Sequence, residues 1–303
     1  MQRMFKKTMI MILLMVLAAS CTNTNNAVSN TNKGKENTVE NTSNKGANTS
    51  AKESNTPVLL GEKDGMTQYS IKSKYVNDEI IIDITLPQEY DKNKKYPVLY
   101  MTDGYWRRDE HAKIHKLSED HEIEPVIIVG IGYPDDYDAM KIRERDLVNR
   151  ADLFLSFIVD ELIPFIDENY PNDTSNRTLW GASHGGNFVT YSLLQYEDVT
   201  KDIFRSYIIN SPTVWAITNG KTDFEWEESL YEKTKSLPVR VYFTVGGIEE
   251  QQFIDNYHKM VDQITSRNYE GLEFTHEVIP DKDHYTVWEP ALMKGVRMFL
   301  GKE

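Results

Sequence analysis

The chain has 303 residues, of which 11% are aromatic and 27% charged, and 47 Asp and Glu outweigh 34 Lys and Arg to give a formal charge of −13. That acidic balance argues against nucleic acid and against adsorption to anionic lipid headgroups as partners. Cys21 is the only cysteine, so an intramolecular disulfide is excluded and stability must come from a hydrophobic core.

The first residues read as a secretion signal. Arg3, Lys6 and Lys7 precede an eleven-residue apolar run from Met9 to Ala19, too short for a bilayer span of about 20 residues. Small residues follow, and Leu17-Ala18-Ala19-Ser20-Cys21 resembles a bacterial lipobox with Ala18 where leucine is usual. The match implies that residues 1–20 are removed and that Cys21 carries a lipid, so a membrane partner is expected through the anchor. From Thr22 to Thr56, ten of 35 residues are Asn, seven Thr and four Ser, with Val28 and Val39 the only large apolar side chains. Such a segment buries too little surface to offset its ordering entropy and is expected to act as a flexible tether. Its mean reach would be about 30–35 Å. Residues 57–303 remain, with 27 basic and 44 acidic side chains and a net charge of −17, a length that suits one α/β domain.

Within that domain, strand-length runs rich in Val, Ile and Tyr occur at Tyr69 to Ile71, Glu79 to Leu86, Tyr96 to Thr102, Pro125 to Ile131, Arg177 to Trp180, Ser206 to Asn210, Val239 to Val245 and Leu272 to Ile279. From the third onward, helical stretches separate them, chiefly Ala151 to Asn169, Asn187 to Tyr196, Gln251 to Arg267 and Glu289 to Leu300. This alternation predicts an α/β fold with a mostly parallel eight-stranded sheet, helices on both faces and an antiparallel hairpin at one edge. Pro164 should kink the first long helix.

Gly181-Ala182-Ser183-His184-Gly185 fits the G-x-S-x-G nucleophile elbow between a strand and a helix, where a tight turn admits only small neighbours such as Gly181, Gly185 and Gly186. A serine nucleophile needs a base and an acid that orients it, following in the order Ser, acid, His. His284 is the candidate base, in the loop after the last strand. His111, His115 and His121 precede the serine in a polar surface stretch, His258 sits on an amphipathic helix and His276 lies inside a strand. The acid candidates are Glu249, with Glu250 as the alternative, then Asp281 and Asp283. The oxyanion donors would be the N–H of His184 and one from Gly104 or Tyr105. Tyr105-Trp106-Arg107-Arg108 puts two aromatics beside two cations at the expected rim, where Trp106, Arg107 and Arg108 are candidates for binding an aromatic anion. Arg143 and Arg145 would add to that field if their loop folds over the site. In the plainer reading, Trp106 packs on the core and the arginines pair with Asp109 and Glu110. No phosphate loop, dinucleotide fingerprint or paired Cys/His motif is visible, so neither cofactor nor metal is expected. The sequence carries no signal for an oligomeric state.

These residues resemble the putative esterase family of α/β hydrolases, which includes enterochelin and other siderophore esterases, feruloyl esterase domains and mycolyltransferases. The resemblance covers most of the chain after residue 75. It rests on Tyr96 to Gly104 ending in Asp-Gly, on Arg143-Glu-Arg145-Asp146-Leu147, on Phe165 to Tyr170 leading into the elbow, on Ser211-Pro212-Thr213-Val214-Trp215 and on Val245-Gly246-Gly247-Ile248-Glu249. The last of these is similar to the Gly-x-x-Glu turn of the siderophore branch, which favours Glu249. Trp215 is a further substrate-binding candidate, although the family often has Ser-Pro-Ser with a Trp pair there. The resemblance implies an α/β-hydrolase fold and a serine esterase acting on a small-molecule ester, with a siderophore trilactone as one candidate, and the N-terminal signal adds the expectation that it works outside the cytoplasm. The alternatives are a feruloyl or acetyl carbohydrate esterase and a lipid-anchored siderophore-binding protein without turnover.

Overall fold

Residues 56–302 are described by a computed structural model, so Cys21, the signal segment and most of the tether lie outside the described residues. The chain lays down β1 (Val58–Lys63), β2 (Met66–Ser73), β3 (Asp78–Thr85) and β4 (Tyr96–Met101) before its first long helix, α1 (Arg108–Glu119). After β5 (Ile127–Gly132) come α2 (Ala139–Glu144), α3 (Ala151–Phe157) and α4 (Ile163–Asn169). The second half alternates: β6 (Asn172–Ala182), α5 (His184–Leu194), β7 (Ser206–Asn210), α6 (Asp223–Lys233), β8 (Arg240–Gly246), α7 (Gln251–Arg267), β9 (Glu273–Ile279) and α8 (Trp288–Leu300).

The strands form one mixed nine-stranded sheet in the order β1-β2-β3-β5-β4-β6-β7-β8-β9, which corrects the expected eight strands. The additional strand is β1. Its Val58, Leu59 and Leu60 are all at least half exposed, and Gly61 breaks the register, so it lacks the alternation by which a half-buried strand is recognised. Pairing is antiparallel from β1 through β3 to β5 and parallel from β5 to β9. The parallel strands therefore end together on one edge of the sheet.

Alternate residues of a strand face opposite sides, and β4 shows the result. Val98 and Tyr100 join the core under α3 to α7, with Phe154, Phe188 and Tyr257, while Leu99 and Met101 join a smaller core under α1 and α8 with Ile114, Leu292 and Val296. Helices cover both faces, as expected. The stretch 151–169 is not one kinked helix, because a π turn at Ile158–Leu162 separates α3 from α4. A regular helix would drive the Pro164 ring into the carbonyl of Asp160, and the widened turn falls at that point. Helix α6 was not anticipated, although Thr222-x-x-Glu225 forms a complete capping box at its start.

Candidate active site

Three parallel strands end in left-handed backbone: Asp103 (φ 60°) after β4, Ser183 (φ 59°) after β6 and Ser211 (φ 42°) after β7. No glycine occupies these positions, so each conformation is strained and must be held by its surroundings. At Ser183 the hold is backbone, its N–H donating to the carbonyl of Asn210 (3.0 Å) and its carbonyl accepting from the N–H of Asn187 (2.9 Å). Close packing does the rest. A Cβ on Gly181 would lie 2.3 Å from the carbonyl oxygen of Gly185, and one on Gly185 would lie 2.4 Å from Thr102 Oγ1, so the elbow accepts only glycine at both places. Ser183 stands at the N-terminus of α5, at the edge where the parallel strands end.

The structure brings His284 and Glu249 together and leaves Glu250 aside. Nδ1 of His284 lies 2.8 Å from Glu249 Oε2. The other carboxylate oxygen of Glu249 accepts from the Ser211 hydroxyl (2.5 Å) and the Gly246 N–H (2.7 Å). Its side chain is fully buried, so each of these bonds is protected from competing water. Glu250 is exposed at the N-cap of α7. Asp281 is exposed, and Asp283 bonds Thr286 and the Tyr285 backbone within its own turn. The His284 ring rests on Phe253 (centroids 4.4 Å), and Phe253 in turn meets the edge of Trp215 (4.8 Å). Trp215 thus buttresses the His284 loop through one intervening ring. Sequence reasoning missed Ser211 and Phe253 as supports of the pair. For Ser211 a signal existed, since Ser-Pro at a strand end marks a turn.

On the other side of Ser183, the loop after β4 is clamped in place. Arg143 Nε and Nη2 donate to both oxygens of Asp103 (2.6 and 3.0 Å), and Nη2 also donates to the carbonyl of Ala182 (2.9 Å). One buried guanidinium therefore joins the segment carrying Gly104 and Tyr105 to the residue preceding Ser183. A Cβ on Gly104 would meet the backbone of Gly130 and Ile131 at 2.8 Å, so this loop lies directly on β5. Replacing Arg143 by leucine should cost about 3–5 kcal/mol of stability by leaving the Asp103 carboxylate buried and unpaired. Chemical denaturation measures it, and a loss under about 1 kcal/mol would show that Asp103 finds other partners. His184 binds Thr213 Oγ1 through Nδ1 (3.1 Å), and burial with Arg143 nearby lowers its pKa, which favours a neutral ring beside Ser183.

The arginine-rich rim differs from expectation. Arg108 pairs with Asp83 (2.9 Å) and Asp135 (3.6 Å), and Arg145 with Asp146 and Asp78. Arg107 stacks on Trp288, its guanidinium 3.7 Å from the ring centroid, and burial lowers its pKa. None of these cations stands free at the surface, because carboxylates of β3, of the loop after β5 and of Asp146 reach Arg108 and Arg145 first and the Trp288 ring of α8 covers Arg107. Their partners are not the adjacent Asp109 and Glu110 of the plainer reading, although Glu110 contributes to the field at Arg107. Trp106 remains 41% exposed. His111, expected on the surface, is buried, bonds Thr85 (2.7 Å) and has its pKa pushed down to about 3 by burial.

Among the described residues no group of three or more His, Cys, Asp or Glu side chains is arranged to hold a metal ion. A cavity of about 420 Å³ lined by Thr174, Tyr196, Phe204 and Arg205 opens at the opposite end of the strands from Ser183.

A family model described as "Putative esterase" matches residues 73–299. The chain belongs to this esterase family. It is 25% identical over 260 residues to the ferri-bacillibactin esterase BesA of Bacillus subtilis (strain 168), an alignment spanning 76% of this chain and 88% of that protein. It is 31% identical over 141 residues to the apo-salmochelin esterase of Escherichia coli O6:H1, covering 39% of this chain and 42% of the relative. Among solved structures, the BES protein from Bacillus cereus superposes with a TM-score of 0.69 at 27% identity, covering 80% of this esterase and 97% of that chain. The fold is accordingly of the α/β-hydrolase type, with a mixed sheet, and the protein is a hydrolase of ester substrates.

Proposed function

We propose that this hydrolase is a serine esterase that cleaves a siderophore ester or lactone through an acyl-enzyme, outside the cytoplasm and held to the membrane by a lipid on Cys21. The single observation that carries the chemistry is the contact of His284 Nδ1 with the buried Glu249 carboxylate, at the sheet edge where Ser183 stands in strained backbone. In that arrangement Nδ1–H is held on Glu249 and Nε2 is left to accept a proton. Ser183 Oγ attacks the ester carbonyl as His284 takes the hydroxyl proton, and the N–H groups of His184 and of Gly104 or Tyr105 stabilise the oxyanion. The intermediate collapses, His284 returns its proton to the leaving alcohol, and water repeats the sequence to free the acid. The siderophore class is supported by the names of the two esterase relatives above. A hydrolysis screen with a triscatecholate trilactone, a feruloylated sugar and p-nitrophenyl esters tests it: the trilactone should be cleaved with the highest kcat/KM, and preference for the feruloylated sugar would replace the siderophore reading.

The location makes a separate prediction. Among the described residues no helix is long and apolar enough to cross a membrane, and a domain of net −17 has no electrostatic attraction for anionic headgroups. Cys21→Ser should therefore move the protein from the membrane fraction to the medium, or leave it as unprocessed precursor. Mature mutant protein that still pellets with membranes would contradict the lipid anchor.

A further inference from the structure

Nine large apolar side chains are exposed among the described residues, and five of them share one edge of the molecule. Trp106 follows β4, Met140 follows β5, Ile217 follows β7, Ile248 follows β8 and Tyr285 follows β9. Each parallel strand other than β6, which ends at the nucleophile, is thus succeeded by a connecting segment bearing such a side chain, for Met140 the short helix α2. Their exposures run from 41% for Trp106 to 82% for Tyr285. Three of them connect directly to the catalytic groups. The Tyr285 ring lies 5.8 Å from that of His284, Ile248 precedes Glu249, and the Trp106 ring lies 5.7 Å from the guanidinium carbon of Arg143, which bonds the carbonyl next to Ser183. Exposed apolar side chains gathered on the edge that carries Ser183 are suited to recognition, since water contact is unfavourable for each of them until a ligand covers it.

The charge of the same loops narrows what that ligand is. Residues 103–110, 133–146, 211–223, 247–250 and 280–289 together hold fourteen Asp and Glu and seven Lys and Arg. Of those seven cations, Arg108, Arg143 and Arg145 are paired with carboxylates and Arg107 is covered by Trp288. The field at the cleft mouth therefore repels anions. Three catecholate arms wrapped on a ferric ion form a trianion, whereas the same arms without iron keep their phenolic protons near neutral pH and are uncharged.

We propose that the ring of Trp106, Met140, Ile217, Ile248 and Tyr285 takes up uncharged aryl or alkyl arms of the ester, and that the metal-free lactone is the substrate in preference to its anionic iron complex. This rests on the serine-esterase reading given above and concerns only which form of substrate the site selects. The aromatic members stack on the arms while the ester bond reaches Ser183, and repulsion from the loops disfavours the ferric form before contact.

The test compares kcat/KM of the mature protein for a triscatecholate trilactone with and without iron, at low and high salt. The iron-free form should be favoured by about tenfold or more, and the rate on the ferric form should rise with salt as repulsion is screened. Trp106→Ser combined with Tyr285→Ser should raise KM for the iron-free lactone about tenfold, the scale of two lost aromatic contacts. Val199→Ser, an exposed apolar residue at the opposite edge, should leave KM as it was. Preference for the ferric form, a ferric rate that falls with salt, or an unchanged KM in the double variant would each overturn the proposal. So would cleavage of a p-nitrophenyl ester with neither lactone turned over. Failure of Ser183 to react with a fluorophosphonate would instead remove the serine-esterase reading beneath it.

Discussion

Ser183→Ala and His284→Ala are each expected to lower kcat on any ester by about four to six orders of magnitude, and the double variant should be no worse than either alone. The reason is mechanical. Without His284 the serine hydroxyl is not deprotonated as it attacks, and without Ser183 the imidazole has nothing to activate, so either loss removes the same step. What survives in both cases is ground-state binding and the oxyanion donors, which do not depend on the missing side chain. Neither substitution should unfold the protein, since the elbow is held by backbone bonds to Asn210 and from Asn187 and by the glycine contacts. Steady-state kinetics with a thermal melt on each variant checks this. Losses that multiply in the double variant would mean that Ser183 and His284 act independently.

Glu249→Gln should cost about two to four orders of magnitude in kcat, whereas Glu250→Ala should change it by about twofold at most. Glutamine is close in shape to the carboxylate but presents an amide. It cannot stabilise the imidazolium that forms when His284 takes the proton, and its NH2 can turn His284 toward the wrong tautomer. The surroundings of Glu249 make the difference large. Ser211 and Gly246 both donate to Oε1, so they orient an acceptor toward His284. The exposed side chain of Glu250, at a helix N-terminus, makes no capping hydrogen bond and is placed only to favour the helix dipole. A greater loss from Glu250→Ala than from Glu249→Gln would reverse the roles.

Much of this architecture is legible in the residues alone, for definite reasons. The parallel strands are continuous apolar runs because both faces are covered, and the elbow glycines sit where a Cβ would strike backbone. Glu249 and Glu250 are adjacent and chemically alike, and spacing leaves the choice between them open. Only the turn at Gly246 decides which one faces His284. Strand β1 was hidden because it is an edge with no buried face. The arginines were misjudged for another reason. Their partners Asp83, Asp135 and Asp78 are distant in sequence, and a local reading of Arg107-Arg108-Asp109-Glu110 sees only neighbours. Trp288, which covers Arg107, lies at the far end of the chain and is brought there by α8 packing against the same face of the sheet as α1.

Ser183 is expected to be a nucleophile activated within this site. Treatment of the purified mature protein with a fluorophosphonate, followed by mass analysis of its peptides, tests it most directly. One adduct should form, on Ser183, and it should vanish in Ser183→Ala and form far more slowly in His284→Ala. An unlabelled protein, or an adduct on any other residue that persists in Ser183→Ala, would contradict the account.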